Sequence, residues 1–163
     1  MNAFVKCSEV EKRAMAALIP YANKHNAQLF MTNGQMYIQK VYGDMITKLS
    51  DGRHQIVELK TEQSNKYGNL YLENWSNKTR STPGWMQICQ ADWLWYYFID
   101  SNELYQVKFD SLKDWAFKRN GVDQFKERLQ HKTEQLNSTW GWCVPIAHLA
   151  KQRLEGWKLI HPE

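Results

Sequence analysis

The chain of 163 residues is long enough to bury a sizeable core, and its 22 aromatic residues, eight of them Trp, exclude a disordered chain. A formal charge of +4 permits a polyanionic partner without requiring one. The longest apolar run, WLWYYFI, is too short to span a bilayer, and MNAFVKCSEVEKR lacks the apolar stretch of a signal peptide. Cys7, Cys89 and Cys143 are scattered without metal-ligand spacing, so reduced thiols in the cytoplasm are expected.

No repeat or linker divides the chain, so residues 1–163 are expected to form one domain. Ser8, with Glu11 three residues on, has the pattern of a capping box and predicts a helix through SEVEKRAMAALI, which Pro20 should kink or end. Two apolar runs about Asn33-Gly34 predict a hairpin, and GDMITKLSDGRHQIVELKTE predicts a second around Asp51-Gly52. GNLYLENW reads as a further strand. TPGWMQICQADWLWYYF is apolar on most sides and predicts a buried helix, with Pro83 in its first turn. NELYQVKF alternates as a strand. DSLKDWAFKR predicts a helix capped by Asp110, and VDQFKERLQHKTEQL a charged, exposed one. TWGWCVPI predicts a last strand before a short terminal helix. The order implies an α/β fold, a central mixed β-sheet flanked by helices with extra C-terminal helices and a strand.

The second hairpin carries the chemistry. Alternation puts Ile56, Glu58 and Lys60 on one face of a strand and Val57 and Leu59 on the other. An acid two residues from a lysine means little alone, since roughly one or two such triplets arise by chance at average-like composition. An ion pair at a strand's end is the simpler explanation. Position strengthens the case. If Ser50-Asp51-Gly52 is a three-residue loop with Gly52 left-handed, Asp44 falls opposite Glu58, whereas a two-residue turn puts Met45 there. Facing carboxylates are destabilising, and a divalent cation removes that objection. Asp44, Glu58 and the Leu59 carbonyl would hold Mg²⁺, with Mn²⁺ able to substitute. Lys60 would orient an attacking water or stabilise charge on a phosphate.

Asp44 followed after one hairpin by Glu58-x-Lys60 resembles the PD-(D/E)XK nuclease superfamily and implies a restriction-endonuclease-like core. SEVEKRAMAAL is similar to the opening helix of its Holliday-junction resolvase-type members, whose supporting acid matches Glu11. The likeness covers roughly residues 8 to 110. Gly43 stands where the motif has Pro, and neither Gln87 nor Gln90 has Tyr four residues on, which argues against the exonuclease branch. The resemblance implies a Mg²⁺-dependent endonuclease acting on duplex or branched DNA. Its alternative is a catalytically inactive module of the same fold that binds nucleic acid or protein. Junction resolution would need two sites on two strands, hence a homodimer.

Other groups have weaker claims. Lys78, Arg80, Ser81 and Thr82 in WSNKTRSTPGW, with Lys66 in TEQSNKYGN, form polar loops suited to phosphate. Glu73 is a candidate fourth acid, although an acid at a strand's end is more often simply solvated. The dense aromatics between Trp85 and Tyr97 read as core or a subunit interface rather than as base-stacking platforms.

Overall fold

The computed structural model describes residues 3–25, 27–31, 43–130 and 138–162. Helix α1 (Ala3–Lys24) is followed by strands β1 (Gln28–Met31), β2 (Met45–Lys48) and β3 (His54–Glu62). The chain then forms β4 (Asn69–Asn77), β5 (Thr82–Pro83) and a four-residue helix α2 (Trp85–Ile88). Strands β6 (Trp93–Phe98) and β7 (Glu103–Lys108) lead to α3 (Phe109–Phe117), and a 3₁₀ turn at Val122–Gln124 leads to β8 (Glu127–Leu129) and β9 (Trp140–Pro145). Helix α4 (Ile146–Leu149) and strand β10 (Lys158–Ile160) complete the order.

The fold is α/β, with a mixed sheet of order β1-β2-β3-β6-β7-β10 in which only β3 and β6 pair in parallel. A second, antiparallel sheet has the order β5-β4-β9-β8. Nothing in the sequence reading separates β4 and β9 from the first sheet. On one face of the mixed sheet, Val57, Leu59, Trp95 and Tyr97 pack against Ala14, Leu18 and Tyr21 of α1. On the other, Leu94, Tyr96 and Phe98 pack with Leu70, Leu72 and Val144 of the second sheet and Leu112 and Trp115 of α3. Burying a side chain such as Leu18 completely contributes about 2 kcal/mol.

This two-sided core explains the main departure from expectation. The segment from Trp85 to Phe98 is not one helix; it stops at Ile88, and Trp93–Phe98 is an inner strand. A strand covered on both faces must be apolar at every position, which removes the period that distinguishes strand from buried helix. Aromatic enrichment favours the strand. Trp95, Tyr96, Tyr97 and Phe98 are all buried, so their assignment to the core holds.

Other boundaries shift too. Helix α1 begins at Ala3, so position 8 lies within it rather than at its N-terminus, and the helix runs through Pro20 to Lys24. Pro83 belongs to β5 rather than a first turn, and Lys108 precedes α3 with Asp110 in its first turn. The expected helix from Val122 is a 3₁₀ turn and β8, with residues 131–137 outside the described range. The Asn33-Gly34 turn also lies outside the described residues, although β1 stands where the first arm of that hairpin was expected. The last strand and the short helix after it are β9 and α4, and β10 adds an edge that the sequence reading lacks.

Candidate active site

The Asp51 hairpin sets the site. Leu49 N–H donates to Arg53 O at 2.8 Å, Lys48 pairs with His54, and Gly52 has φ +84°, so the loop is Ser50-Asp51-Gly52. Met45 then faces Val57, and one step further Asp44 comes level with Glu58. Asp44 N–H donates to Val57 O at 3.0 Å, and its carboxylate Oδ2 accepts the Leu59 N–H at 3.0 Å. Asp44 is thus held by two backbone contacts to β3 just where the β2 ladder stops. The Leu59 carbonyl leaves β3 on the same edge as its N–H.

Gly43 makes this geometry reachable. Its φ of +126° lies where L side chains are strained, and an added Cβ would stand 2.8 Å from Val57 O and 3.2 Å from Ile56 Cγ2. Proline, with φ fixed near about −65°, cannot take that conformation. The glycine expected here to stand in place of a motif proline therefore has a backbone reason of its own.

Lys60 shares the Glu58 face, and its Nζ lies 2.5 Å from Glu58 Oε1 and 5.2 Å from the centre of the Trp85 ring. The Glu58 side chain is 6% exposed and that of Lys60 30%. Glu58 Oε2 accepts the Cys89 thiol at 3.4 Å. Burial raises the Glu58 pKa; Lys60 opposes the rise and Asp44 adds to it. Burial pulls Lys60 toward the neutral form, but Glu58, Asp44 and Glu73 outweigh it and hold the ammonium well above its ordinary pKa. Burial and Glu58 push the Cys89 thiol up to about 12, so it stays a protonated donor.

Glu11, Asp44, Leu59, Lys60 and Glu73 line a cleft of about 330 Å³, whereas Glu58 and Cys89 are buried and not part of its lining. Glu11, Ala14, Leu18 and Tyr21 recur at helical spacing, so Glu11 continues the α1 stripe that packs on β3, one turn beyond Ala14. Glu73 reaches the cleft from the second sheet, on the same face of β4 as Tyr71. Burial raises its pKa too, against the pull of Lys60. Tyr96 joins the two sheets: its hydroxyl donates to Glu62 and accepts the Tyr71 N–H at 3.2 Å. Strand alternation in β4 was a usable signal for Glu73; that β4 faces this cleft was not legible.

The residues expected to bind phosphate at the rim, Lys66, Lys78, Arg80, Ser81 and Thr82, are not part of the cleft lining. Lys78 pairs with Glu127 and lies 4.6 Å from the centre of the Trp140 ring. Ser81 has φ +52° in a turn and Thr82 pairs with Asn77, so neither opens a helix; α2 begins at Trp85 and has four residues.

Among the described residues, no three His, Cys, Asp or Glu side chains are already arranged to hold a metal. The donors present, two carboxylates and a backbone carbonyl, still suit Mg²⁺, which keeps several waters. Among the described residues, Asp44, Glu58 and Glu73 all act on the Lys60 ammonium.

No family model matches the chain, and no curated protein sequence does. The chain is similar to a solved structure of a bacterial homing endonuclease, I-Ssp6803I, with 15% sequence identity and a TM-score of 0.44, covering 83% of this chain and 86% of that one. The chemistry therefore rests on the cleft's own residues.

Proposed function

We propose that the cleft is the active site of a divalent-metal-dependent DNA phosphodiester hydrolase, an endonuclease of the PD-(D/E)XK type. The observation that carries this reading is the three-residue loop that brings Asp44 level with Glu58 while Lys60 shares the Glu58 face. Asp44, Glu58 and the Leu59 carbonyl would hold Mg²⁺ or Mn²⁺, with Glu11 in support. Such an ion supplies Lewis acidity, polarising a phosphoryl oxygen and lowering the pKa of a bound water.

The chain's own residues do the rest. Asp44 is fixed by two backbone contacts to β3. Lys60, kept cationic by three acids, is a donor aimed at charge that develops on a phosphate, which lowers the barrier more than it tightens ground-state binding. Glu73 adds negative charge that holds this cation in the cleft. The Trp85 ring lies beside the ammonium, its centre 5.2 Å away.

The test is a panel of labelled linear, branched and single-stranded DNA with Mg²⁺ or Mn²⁺, run with thermal melts. Cleavage should require the metal, and metal at about a hundred times its Kd should add about 2.7 kcal/mol of stability. Asp44→Asn keeps an acceptor for the Leu59 N–H but should lose both the melting shift and cleavage. A second reading, an inactive module in which Glu58 and Lys60 are only an ion pair, is favoured by their direct contact at 2.5 Å. It predicts no cleavage and no metal-dependent shift, and that pair of results would overturn the nuclease reading.

A further inference from the structure

The second sheet carries a feature that the cleft does not use. Asn69, Tyr71 and Glu73 alternate onto one face of β4, and the register adds Pro145, Cys143 and Gly141 of β9 opposite them. Arg128 of β8 pairs with Gly141 and joins the same face. The opposite face, with Leu70, Leu72 and Val144, is in the core. Tyr71 and Glu73 line the active-site cleft, together with Gln130 just past β8. Asn69, Cys143 and Arg128 line a second groove, of about 490 Å³, with Tyr67, Phe125 and Lys126. Among the described residues, one sheet face therefore runs from the cleft to this groove. The Tyr71 hydroxyl marks the join, donating to Arg128 O at 3.2 Å.

The groove has a definite chemistry. Lys126 and Arg128 line it, Lys66 stands 5.4 Å from the Tyr67 ring centre, and among the described residues no carboxylate lines it. Tyr67 is 78% exposed, far more than an aromatic ring needs for packing. Phe125 and Pro145 give the groove an apolar lining. Cations that track a backbone beside aromatic faces are the pattern that binds single strands, because every unpaired base has a face to stack and a duplex offers none along its length. From Glu73 to Asn69 the β4 backbone advances roughly 13 Å, about four nucleotide steps of a B-form strand.

We propose that this face is a track for single-stranded DNA that leads from the cleft to the Tyr67–Phe125 groove, with an unpaired base on Tyr67 and phosphates on Lys126 and Arg128. It rests on the nuclease reading for its destination, but binding is measured without cleavage. The experiment is fluorescence anisotropy in EDTA with labelled oligo(dT) about a dozen nucleotides long, within the range of site sizes for such surfaces, and a duplex of equal length. Tyr67→Ala should weaken oligo(dT) binding about tenfold, Tyr67→Trp should retain it, and duplex affinity should change little. Lys126→Gln with Arg128→Gln should flatten the salt dependence of single-strand binding by about 1.4 in log–log slope. Tyr67 is at the surface, so melting temperatures should match the wild type. Oligo(dT) binding unchanged in Tyr67→Ala, or duplex binding reduced as much as single-strand binding, overturns the track. If no DNA is cleaved under any condition while oligo(dT) binding still depends on Tyr67, the nuclease reading fails and the track stands.

Discussion

Lys60→Met removes the ammonium that faces Glu58 at 2.5 Å and keeps an apolar stem near Trp85. Exposed ion pairs contribute up to about 1 kcal/mol, whereas breaking a buried one from one side costs about 3–5 kcal/mol. With Glu58 buried and Lys60 30% exposed, this pair falls between, at about 2 kcal/mol. In a chain of this length that lowers Tm by about 4–8 °C. The pH dependence identifies the cause. Burial already raises the folded-state pKa of Glu58, and losing Lys60 raises it further. An acid whose folded pKa is raised favours the folded state at low pH and loses that contribution as pH rises through the folded value. The deficit of Lys60→Met should therefore be complete near neutral pH and shrink toward about pH 4, where carboxyls protonate. Thermal melts in EDTA across that range measure it. A deficit of equal size at both ends would mean that packing rather than charge was lost, and the electrostatic account of the cleft would be refuted.

Two further substitutions probe the placement of the acids. Gly43→Ala should destabilise by about 2–4 kcal/mol in denaturant titration, because an unfavourable φ and a 2.8 Å approach to Val57 O act together, and it should weaken metal binding by moving Asp44. Unchanged stability would show that the backbone at Gly43 relaxes freely. Glu11→Gln should leave stability within about 0.5 kcal/mol, since Glu11 lies inside α1 and caps nothing, yet slow single-turnover cleavage. A stability loss at an unchanged rate would reduce Glu11 to a structural residue.

Much of this site was legible because it is local. Loop length fixes register, and register sets Asp44 against Glu58, so one turn residue in the left-handed conformation, Gly52, decides the geometry. The acid on α1 was legible from the resemblance of its helix, against a competing capping-box explanation. Ser8 and Glu11 have capping-box spacing, but a helix that begins earlier makes Glu11 part of its packing stripe instead. Glu73 was visible as an acid on a strand, but its partner strand is far away in sequence, and nothing local encodes that pairing. The strand Trp93–Phe98 was hidden by its own burial, since a strand without a polar face carries no period of two.

The topology also sets a timetable for assembly. The β2–β3 hairpin is contiguous, and such units close in about 1–10 μs. The second sheet pairs Asn69 with Pro145 and Trp75 with Trp140, so it must enclose most of β6, β7 and α3 before it can zip. Closing so long a loop costs chain entropy before any contact offsets it, and such pairings slow folding. One wall of the cleft, with Asp44, Leu59 and Lys60, is thus available early, while the wall with Glu73 and Tyr71 arrives late. A nascent chain would already carry clustered acids on a hairpin whose counter-wall emerges from synthesis only with residues 127–145.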